Sequence, residues 1–367
     1  MAQPAAQSSV SSRRLAPPEP AVRAAAALAP LAWLYGSVVE ARRCLYDAGW
    51  LRARALDVPV ISIGNLTVGG SGKSPMTAHV ADILHRAGLR PAVISRGYRG
   101  SHRGPATIVS SGKGPVAAAS VAGDEPVMLA RMLEGVPVIV SRRREDGATL
   151  AVQQMGARCV VLDDGFQHRA LHRNLDILLL DSQEPPDAGR LLPAGRLREP
   201  LRAMGRAGAI VIMMRTGAAQ ARGEEEAILA ACARHAPRAL VFHALARPAD
   251  VVEAVPGRAL PIETLRGVHA ACFAGIAHPD RFFEDAETCG ARVVARLPFG
   301  DHHPYDQADI DRIAGEASRA QADLILTTMK DLARLDPGAL PGLHALRQRV
   351  TVEEEERFAA LVCEAAS

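Results

Sequence analysis

Between Val58 and Ser74 the chain reads Val58-Pro-Val-Ile-Ser-Ile-Gly-Asn-Leu-Thr-Val-Gly-Gly-Ser-Gly-Lys-Ser74, and few backbone arrangements suit that order. The β-branched, apolar run Val58–Ile63 predicts a buried strand, the glycines predict a tight turn, and the pattern from Pro75 to about Arg86 predicts a helix. A strand, a glycine-rich turn and a helix in that order cradle phosphate. Successive backbone N–H groups point inward and the helix N-terminus adds positive potential. The loop Thr67, Val68, Gly69, Gly70, Ser71, Gly72, Lys73 and Ser74 is therefore the expected nucleotide contact. Lys73 would reach the β- and γ-phosphates and the Ser74 hydroxyl would ligate Mg²⁺. Thr67 stands where the common form of this motif has glycine, and a glycine-rich loop that binds nothing is the plain alternative. Lysine usage favours the phosphate reading. Of 43 basic residues only Lys73, Lys113 and Lys330 are lysine. In so arginine-biased a chain, a lysine inside the loop suggests that a compact ammonium is wanted there.

Downstream, strand and helix alternate. Strands are predicted at Pro91–Ser95, Pro137–Val140, Cys159–Leu162, Asp176–Leu180 and Ala209–Met213, with helices opening at Gly123-Asp-Glu-Pro126 and running from about Glu145 to Met155. Residues 99–120 read as an excursion rich in Gly, Ser and Pro. Such alternation means a parallel sheet covered by helices on both faces, with chemistry at the C-terminal ends of the strands. A polar stretch at Thr216–Glu226 marks a boundary. Beyond it a smaller α/β pattern has strands at Ala239–Phe242, Val268–Phe273, Arg292–Leu297 and Asp323–Leu326. The expected division is a tail and interfacial helix over 1–56, a nucleotide-binding α/β domain over 57–220, and a smaller α/β domain over 221–367 that closes the cleft.

The net charge of +3 is unevenly placed. Residues 1–56 hold seven Arg against three acids, so the remainder is near neutral. A nucleic-acid binder would carry a larger, more dispersed basic excess. Basic charge beside an apolar segment suits an anionic membrane surface instead. That segment, Ala24–Val39, spans about 24 Å as a helix, short of the roughly 30 Å hydrocarbon core. Lying on a membrane is thus expected rather than crossing it. Trp33, Tyr35, Tyr46 and Trp50 beside arginines are what an interfacial helix uses; a helix capping the core is the alternative. Residues 1–20 have the composition of a disordered tail. Six scattered cysteines with no C-x-x-C pair suggest neither zinc nor a disulfide framework.

Asp163 and Asp164 end an apolar strand after a phosphate loop, where a carboxylate holds Mg²⁺ directly or through water; adjacent acids there also form turns. Asp124 either starts a helix or acts as a general base toward a hydroxyl. His302, in Asp301-His-His303, either pairs with an acid across a cleft or sits in a surface turn. A guanine site usually needs Asn-Lys-x-Asp, and none of the three lysines follows an Asn, which favours ATP.

Seven stretches together resemble the tetraacyldisaccharide 4'-kinase family. They are Ile63-Gly-Asn-Leu-Thr-Val-Gly-Gly-Ser-Gly-Lys-Ser-Pro75, Ser95-Arg-Gly-Tyr98, Gly123-Asp-Glu-Pro126, Asp163-Asp-Gly-Phe-Gln-His168, Leu192-Pro-Ala-Gly-Arg-Leu-Arg-Glu-Pro200, Phe273-Ala-Gly-Ile276 with Pro279 and Arg281-Phe-Phe283, and Phe299-Gly-Asp-His-His303. The likeness runs in order from about Leu31 to Asp331, and Thr67 is itself family-like. It implies transfer of the ATP γ-phosphate to the 4'-hydroxyl of a tetra-acylated glucosamine disaccharide 1-phosphate, at the cytoplasmic face of the bacterial inner membrane, with no obligate protein partner. It further implies that Asp124 is the base, that His302 orients or tunes it, and that Lys73 serves catalysis. Arg96, Gln167, His168 and Arg198 become candidates for substrate contacts, and Glu199 for support of the metal or of Lys73. A membrane-associated partitioning ATPase shares Gly-Gly-x-Gly-Lys-Ser, but those proteins carry lysine directly before the glycine pair, where this chain has Val68.

Overall fold

The computed structural model describes residues 27–69, 72–183, 189–214 and 222–367. The expected disordered tail, Gly70 and Ser71 of the loop, and positions 216–221 of the expected boundary lie outside those residues. In chain order the helices are α1 (Ala29–Asp47), α2 (Lys73–Arg86), α3 (Ala119–Ala122), α4 (Asp124–Met132), α5 (Arg144–Met155), α6 (Arg222–His235), α7 (Pro279–Thr288), α8 (Gln307–Arg319), α9 (Met329–Leu332) and α10 (Glu355–Ala365). The strands are β1 (Val60–Asn65), β2 (Pro91–Ser95), β3 (Thr107–Ser110), β4 (Val138–Val140), β5 (Cys159–Leu162), β6 (Leu175–Asp181), β7 (Ala209–Met214), β8 (Leu240–Glu253), β9 (Ala259–Pro261), β10 (His269–Ala274), β11 (Arg292–Pro298), β12 (Leu324–Thr328) and β13 (Leu343–Val352).

All these strands join one sheet in the order β11-β10-β12-β13-β8-β7-β6-β1-β5-β2-β4-β3, with β9 alongside β8. β1 is flanked by β6 and β5, both parallel to it, and every one of its residues is buried. That double burial is why it reads as an unbroken apolar run and not as an alternation. Because β1 and β5 are parallel neighbours, the phosphate loop and the Asp163-Asp164 pair leave the sheet at the same edge. Met76, Val80 and Leu84 of α2 pack on that side of the sheet, in a single buried cluster that continues to Phe273, Ile313 and Phe358.

β8 links the two expected α/β units. Leu240–Leu245 pair parallel with β7, and Ala244–Glu253 pair antiparallel with β13, so the sheet runs unbroken past position 220. The final helix α10 then returns to the phosphate-loop helix α2. Phe358 is fully buried there, edge-on to Phe242 at 5.2 Å between ring centroids.

Several expectations are corrected. The excursion over 99–120 contains an antiparallel edge strand, β3, and its end runs into α3. The strand predicted at Ala239–Phe242 extends to Glu253, and β13 was not anticipated. Helix α6 begins at Arg222, inside the stretch read as a linker. The N-terminal helix runs through its arginines to Asp47 and buries none of its residues, so it does not cap the core.

Candidate active site

The phosphate loop follows Asn65. Gly72 sits at the N-cap of α2 with φ +73°, a left-handed conformation that glycine adopts without the strain a Cβ brings. The segment after Arg190 braces the loop from outside. The Val68 amide donates to the Arg196 carbonyl at 2.9 Å, and the Arg198 amide donates to the Leu66 carbonyl at 2.7 Å. Lys73 lies across the loop, its Nζ donating to the Gly69 carbonyl at 3.1 Å, and Ser74 is buried beside it.

Beneath the loop, Asp163 is buried and its two oxygens accept from the Thr77 hydroxyl at 3.1 Å and the Ser95 hydroxyl at 2.9 Å. Burial, and then the neighbouring Asp164 charge, push its carboxyl above the usual range. Asp164 turns outward with φ +48°, and Arg198 Nη1 reaches both its oxygens at 3.0 and 2.8 Å. The same guanidinium reaches Asn65 Oδ1 at 3.2 Å and Gln167 Oε1 at 3.3 Å. Gln167 also donates to the Asn65 carbonyl at 2.9 Å, and His168 pairs with Glu145 at 3.2 Å. Arg96 is exposed at the end of β2 with no ion-pair partner among the described residues.

Gly123, with φ +90°, places Asp124 at the first turn of α4; a Cβ there would meet the Tyr98 carbonyl at 2.5 Å. His302, itself left-handed at φ +59°, comes from the loop after β11. Its Nδ1 lies 2.9 Å from Asp124 Oδ2, across 178 residues of chain. Lys330 Nζ lies 3.2 Å from His302 Nε2. An ammonium has only donors, so Nε2 accepts and the imidazole proton sits on Nδ1, directed at Asp124. Burial tends to raise the Asp124 pKa, but hydrogen bonds from His302 and Arg334 outweigh it and hold the carboxyl below its ordinary value.

The structure also brings in residues to which no role had been given. Glu125 stands among Asp163, Asp164, Lys73 and Lys330, where burial and the Asp163 charge push its carboxyl up to about 7. Arg144 is buried with Nη2 on the Asp163 carbonyl at 3.4 Å, and burial lowers its guanidinium to about 10. Arg334 donates from Nε to Asp124 Oδ2 at 2.7 Å. Two of these carried a signal in the sequence: Glu125 lies in Gly123-Asp-Glu-Pro126, and the lysine rarity that singles out Lys73 applies equally to Lys330.

Glu199 faces the N-terminal helix: its Oε2 pairs with Arg206 Nη2 at 2.7 Å, in a pocket of about 150 Å³ beneath α1 lined by Tyr35, Arg42 and Arg169. Among the described residues no three carboxylate, imidazole or thiol side chains converge to cage a metal. Ser74 with Asp163 or Asp164 suits Mg²⁺ held by one or two protein ligands and completed by phosphate oxygens. Burial raises the carboxyls of Asp163 and Glu125, and a divalent ion bound there would favour their ionised forms.

The sequence profile of the family described as Tetraacyldisaccharide-1-P 4'-kinase matches residues 24–367. A tetraacyldisaccharide 4'-kinase of Geobacter metallireducens is 42% identical over 313 residues, covering 85% of this chain and 89% of its own length. That of Desulfotalea psychrophila is 40% identical over 328 residues, covering 89% of this chain and 92% of its own. Among solved structures, LpxK from Aquifex aeolicus in complex with ATP superposes with a TM-score of 0.76 at 31% identity, covering 94% of this chain and 99% of the other.

Proposed function

The chain belongs to the tetraacyldisaccharide 4'-kinase family, and from that membership we propose how its residues carry out the family's reaction. It is a kinase that transfers the γ-phosphate of ATP to the 4'-hydroxyl of a tetraacyldisaccharide 1-phosphate, giving a bis-phosphorylated lipid A precursor. Phosphoryl transfer needs little covalent help from protein; it needs in-line positioning and charge placed where negative charge develops. The phosphate loop and the N-terminus of α2 bind the ATP phosphates, and Lys73 leaves the Gly69 carbonyl to meet the β- and γ-oxygens. Mg²⁺, held by Ser74 and by Asp163 or Asp164, would neutralise charge on those oxygens when bound. Arg96, free at the site's edge, and Arg198 with Gln167 and His168 face the anionic acceptor.

Asp124 accepts the proton of the 4'-hydroxyl as the oxygen attacks phosphorus, and His302 holds the carboxylate in place. The observation that carries this reading is the 2.9 Å contact between Asp124 and His302, formed by residues from opposite halves of the chain beside the phosphate loop. It is tested by incubating purified protein with ATP, Mg²⁺ and the disaccharide monophosphate. Wild type should yield the bis-phosphorylated lipid. Asp124→Asn should bind ATP normally and yield product about 10²–10⁴-fold more slowly, the usual worth of general acid–base catalysis.

The same reading puts the enzyme on the cytoplasmic surface of the inner membrane, because its acceptor cannot leave the bilayer. No described helix is long and apolar enough to cross a membrane. Helix α1 supports a surface attachment instead. Leu31, Trp33, Leu34 and Val38 are exposed, with Trp33 75% exposed. The helix is held to the body by its polar groups: Tyr35 Oη on the Arg198 carbonyl at 2.8 Å, Glu40 with Arg202, and Asp47 with Arg169 at 2.8 Å. A helix pinned by its polar side with its apolar side outward is suited to the headgroup–acyl boundary.

A further inference from the structure

Arg334 is nine-tenths buried at the end of the short turn that follows β12, and lies 210 residues from Asp124 in sequence. Its guanidinium divides its bonds. Nε goes to Asp124 Oδ2 at 2.7 Å, while Nη1 goes to Asp331 Oδ1 at 2.8 Å and to the Gly275 carbonyl at 2.9 Å. Asp331 is fully buried and itself fixed: it accepts from the Tyr305 hydroxyl at 2.9 Å, the Gly275 amide at 3.1 Å and the Thr328 hydroxyl at 2.7 Å. Arg334 therefore ties Asp124 to a fully buried anchor that accepts three further hydrogen bonds.

The way it grips Asp124 differs from an ordinary structural pair in the same molecule. Arg347 takes Asp250 by both oxygens, Nε to Oδ1 at 2.6 Å and Nη2 to Oδ2 at 2.8 Å. That fork-to-fork geometry is the one that holds a carboxylate most firmly. Arg334 gives up the second bond. It lands on the oxygen that already takes His302, and Oδ1 of Asp124 has no partner among the described residues. Two donors on one oxygen fix the plane of the carboxylate and leave the other oxygen open for a proton.

We propose that Arg334 is a positioning residue for phosphoryl transfer, holding Oδ2 of Asp124 so that Oδ1 is presented to the acceptor hydroxyl. The proposal rests on Asp124 being the base. It assigns to the turn after β12 a share of the chemistry: Arg334 orients the carboxylate, while Lys330, on His302 Nε2 and on Asp301 at 3.2 Å, sets the imidazole proton.

The test compares steady-state kinetics of full-length variants with ATP and the lipid acceptor. Arg334→Met should lower kcat about 10–100-fold, the scale of a misplaced catalytic group, with KM for ATP essentially unchanged. Arg334→Lys, which can still reach Oδ2, should keep most of the activity, and added guanidinium should partly restore Arg334→Ala. In an Asp124→Asn background Arg334→Met should cost nothing further. Because Arg334→Met strands the buried Asp331 charge, Arg334→Met with Asp331→Asn is measured beside Asp331→Asn alone, each with its melting temperature. Normal kcat in a folded Arg334→Met protein, or an equal loss in the Asp124→Asn background, would overturn the positioning role while Asp124 stayed the base. Full activity of Asp124→Asn would instead overturn the base assignment, and the positioning role with it.

Discussion

Glu125 is where the site's charge balance can be read most directly. Its carboxyl, ordinarily near 4.5, is pushed to about 7 by burial and by Asp163, and Lys73 and Lys330 compensate only in part. A carboxyl whose pKa is higher folded than unfolded costs stability as it ionises. The cost is absent below about 4.5, grows as pH rises through the interval, and is complete above about 7. Glu125→Gln should therefore stabilise the nucleotide-free protein at pH 8 by about 3 kcal/mol, seen as a higher melting temperature, and do little at pH 5. An equal effect at both pH values would mean that the carboxyl is not perturbed. Lys73 makes the complementary prediction. Lys73→Ala should lose about 10²–10³-fold in kcat, the worth of one pre-placed donor to developing charge. Its melting temperature should change little, since among the described residues the ammonium's hydrogen bond goes to the Gly69 carbonyl of its own loop; near-normal turnover would contradict the phosphate-loop assignment. Lys73, Asp163 and Asp124 were legible in the sequence because each follows a strand or opens a helix at a fixed offset from a motif. Arg334 and Arg144 were not, because their importance lies in partners brought near by folding: Asp124 for one, Asp163 for the other.

At the scale of elements, α1 and α10 play opposite parts. Helix α1 buries no residue and holds on through polar contacts, and its apolar side chains Leu31, Trp33, Leu34 and Val38 are exposed. Replacing Trp33, Leu34 and Val38 together with serine should leave the fold and ATP binding intact. Sedimentation with anionic vesicles should fall by about 10–100-fold, since each exposed side chain contributes on the order of 1 kcal/mol of interfacial burial. Retained vesicle binding would place the attachment elsewhere. Helix α10 instead closes the core over α2 through Phe358, and Phe358→Ala should cost about 3–5 kcal/mol, measured by urea unfolding. Much of the element pattern was legible: β2 and β5 stand where their apolar runs put them. β8 and β13 were harder to see. Pro248 inside β8 argues against a central strand, but it sits where the β8–β13 register shifts, opposite Gln348. β13 carries Arg347, Gln348 and Arg349 among its apolar positions, and Arg347 and Arg349 are matched by Asp250 on β8, which local sequence cannot reveal.

For the whole molecule, the organising fact is that one sheet carries both halves of the site. The phosphate loop and Asp163 leave the ends of β1 and β5, while His302 and the Lys330–Arg334 turn leave the ends of β11 and β12. β13 pairs antiparallel with β8, so it is the contacts of Asp124 with His302 and Arg334 that join these ends. The central claim is that Asp124 and His302 act as a unit across those halves. It is tested most directly by a double-mutant cycle on kcat, with ATP binding measured in parallel for each variant. Asp124→Asn should lose about 10²–10⁴-fold, His302→Ala should lose less, and the double variant should be little worse than Asp124→Asn, because residues that work as one unit are not additive. Losses that simply multiply would contradict the claim, and would make the 2.9 Å contact a neighbour relation between two residues acting independently.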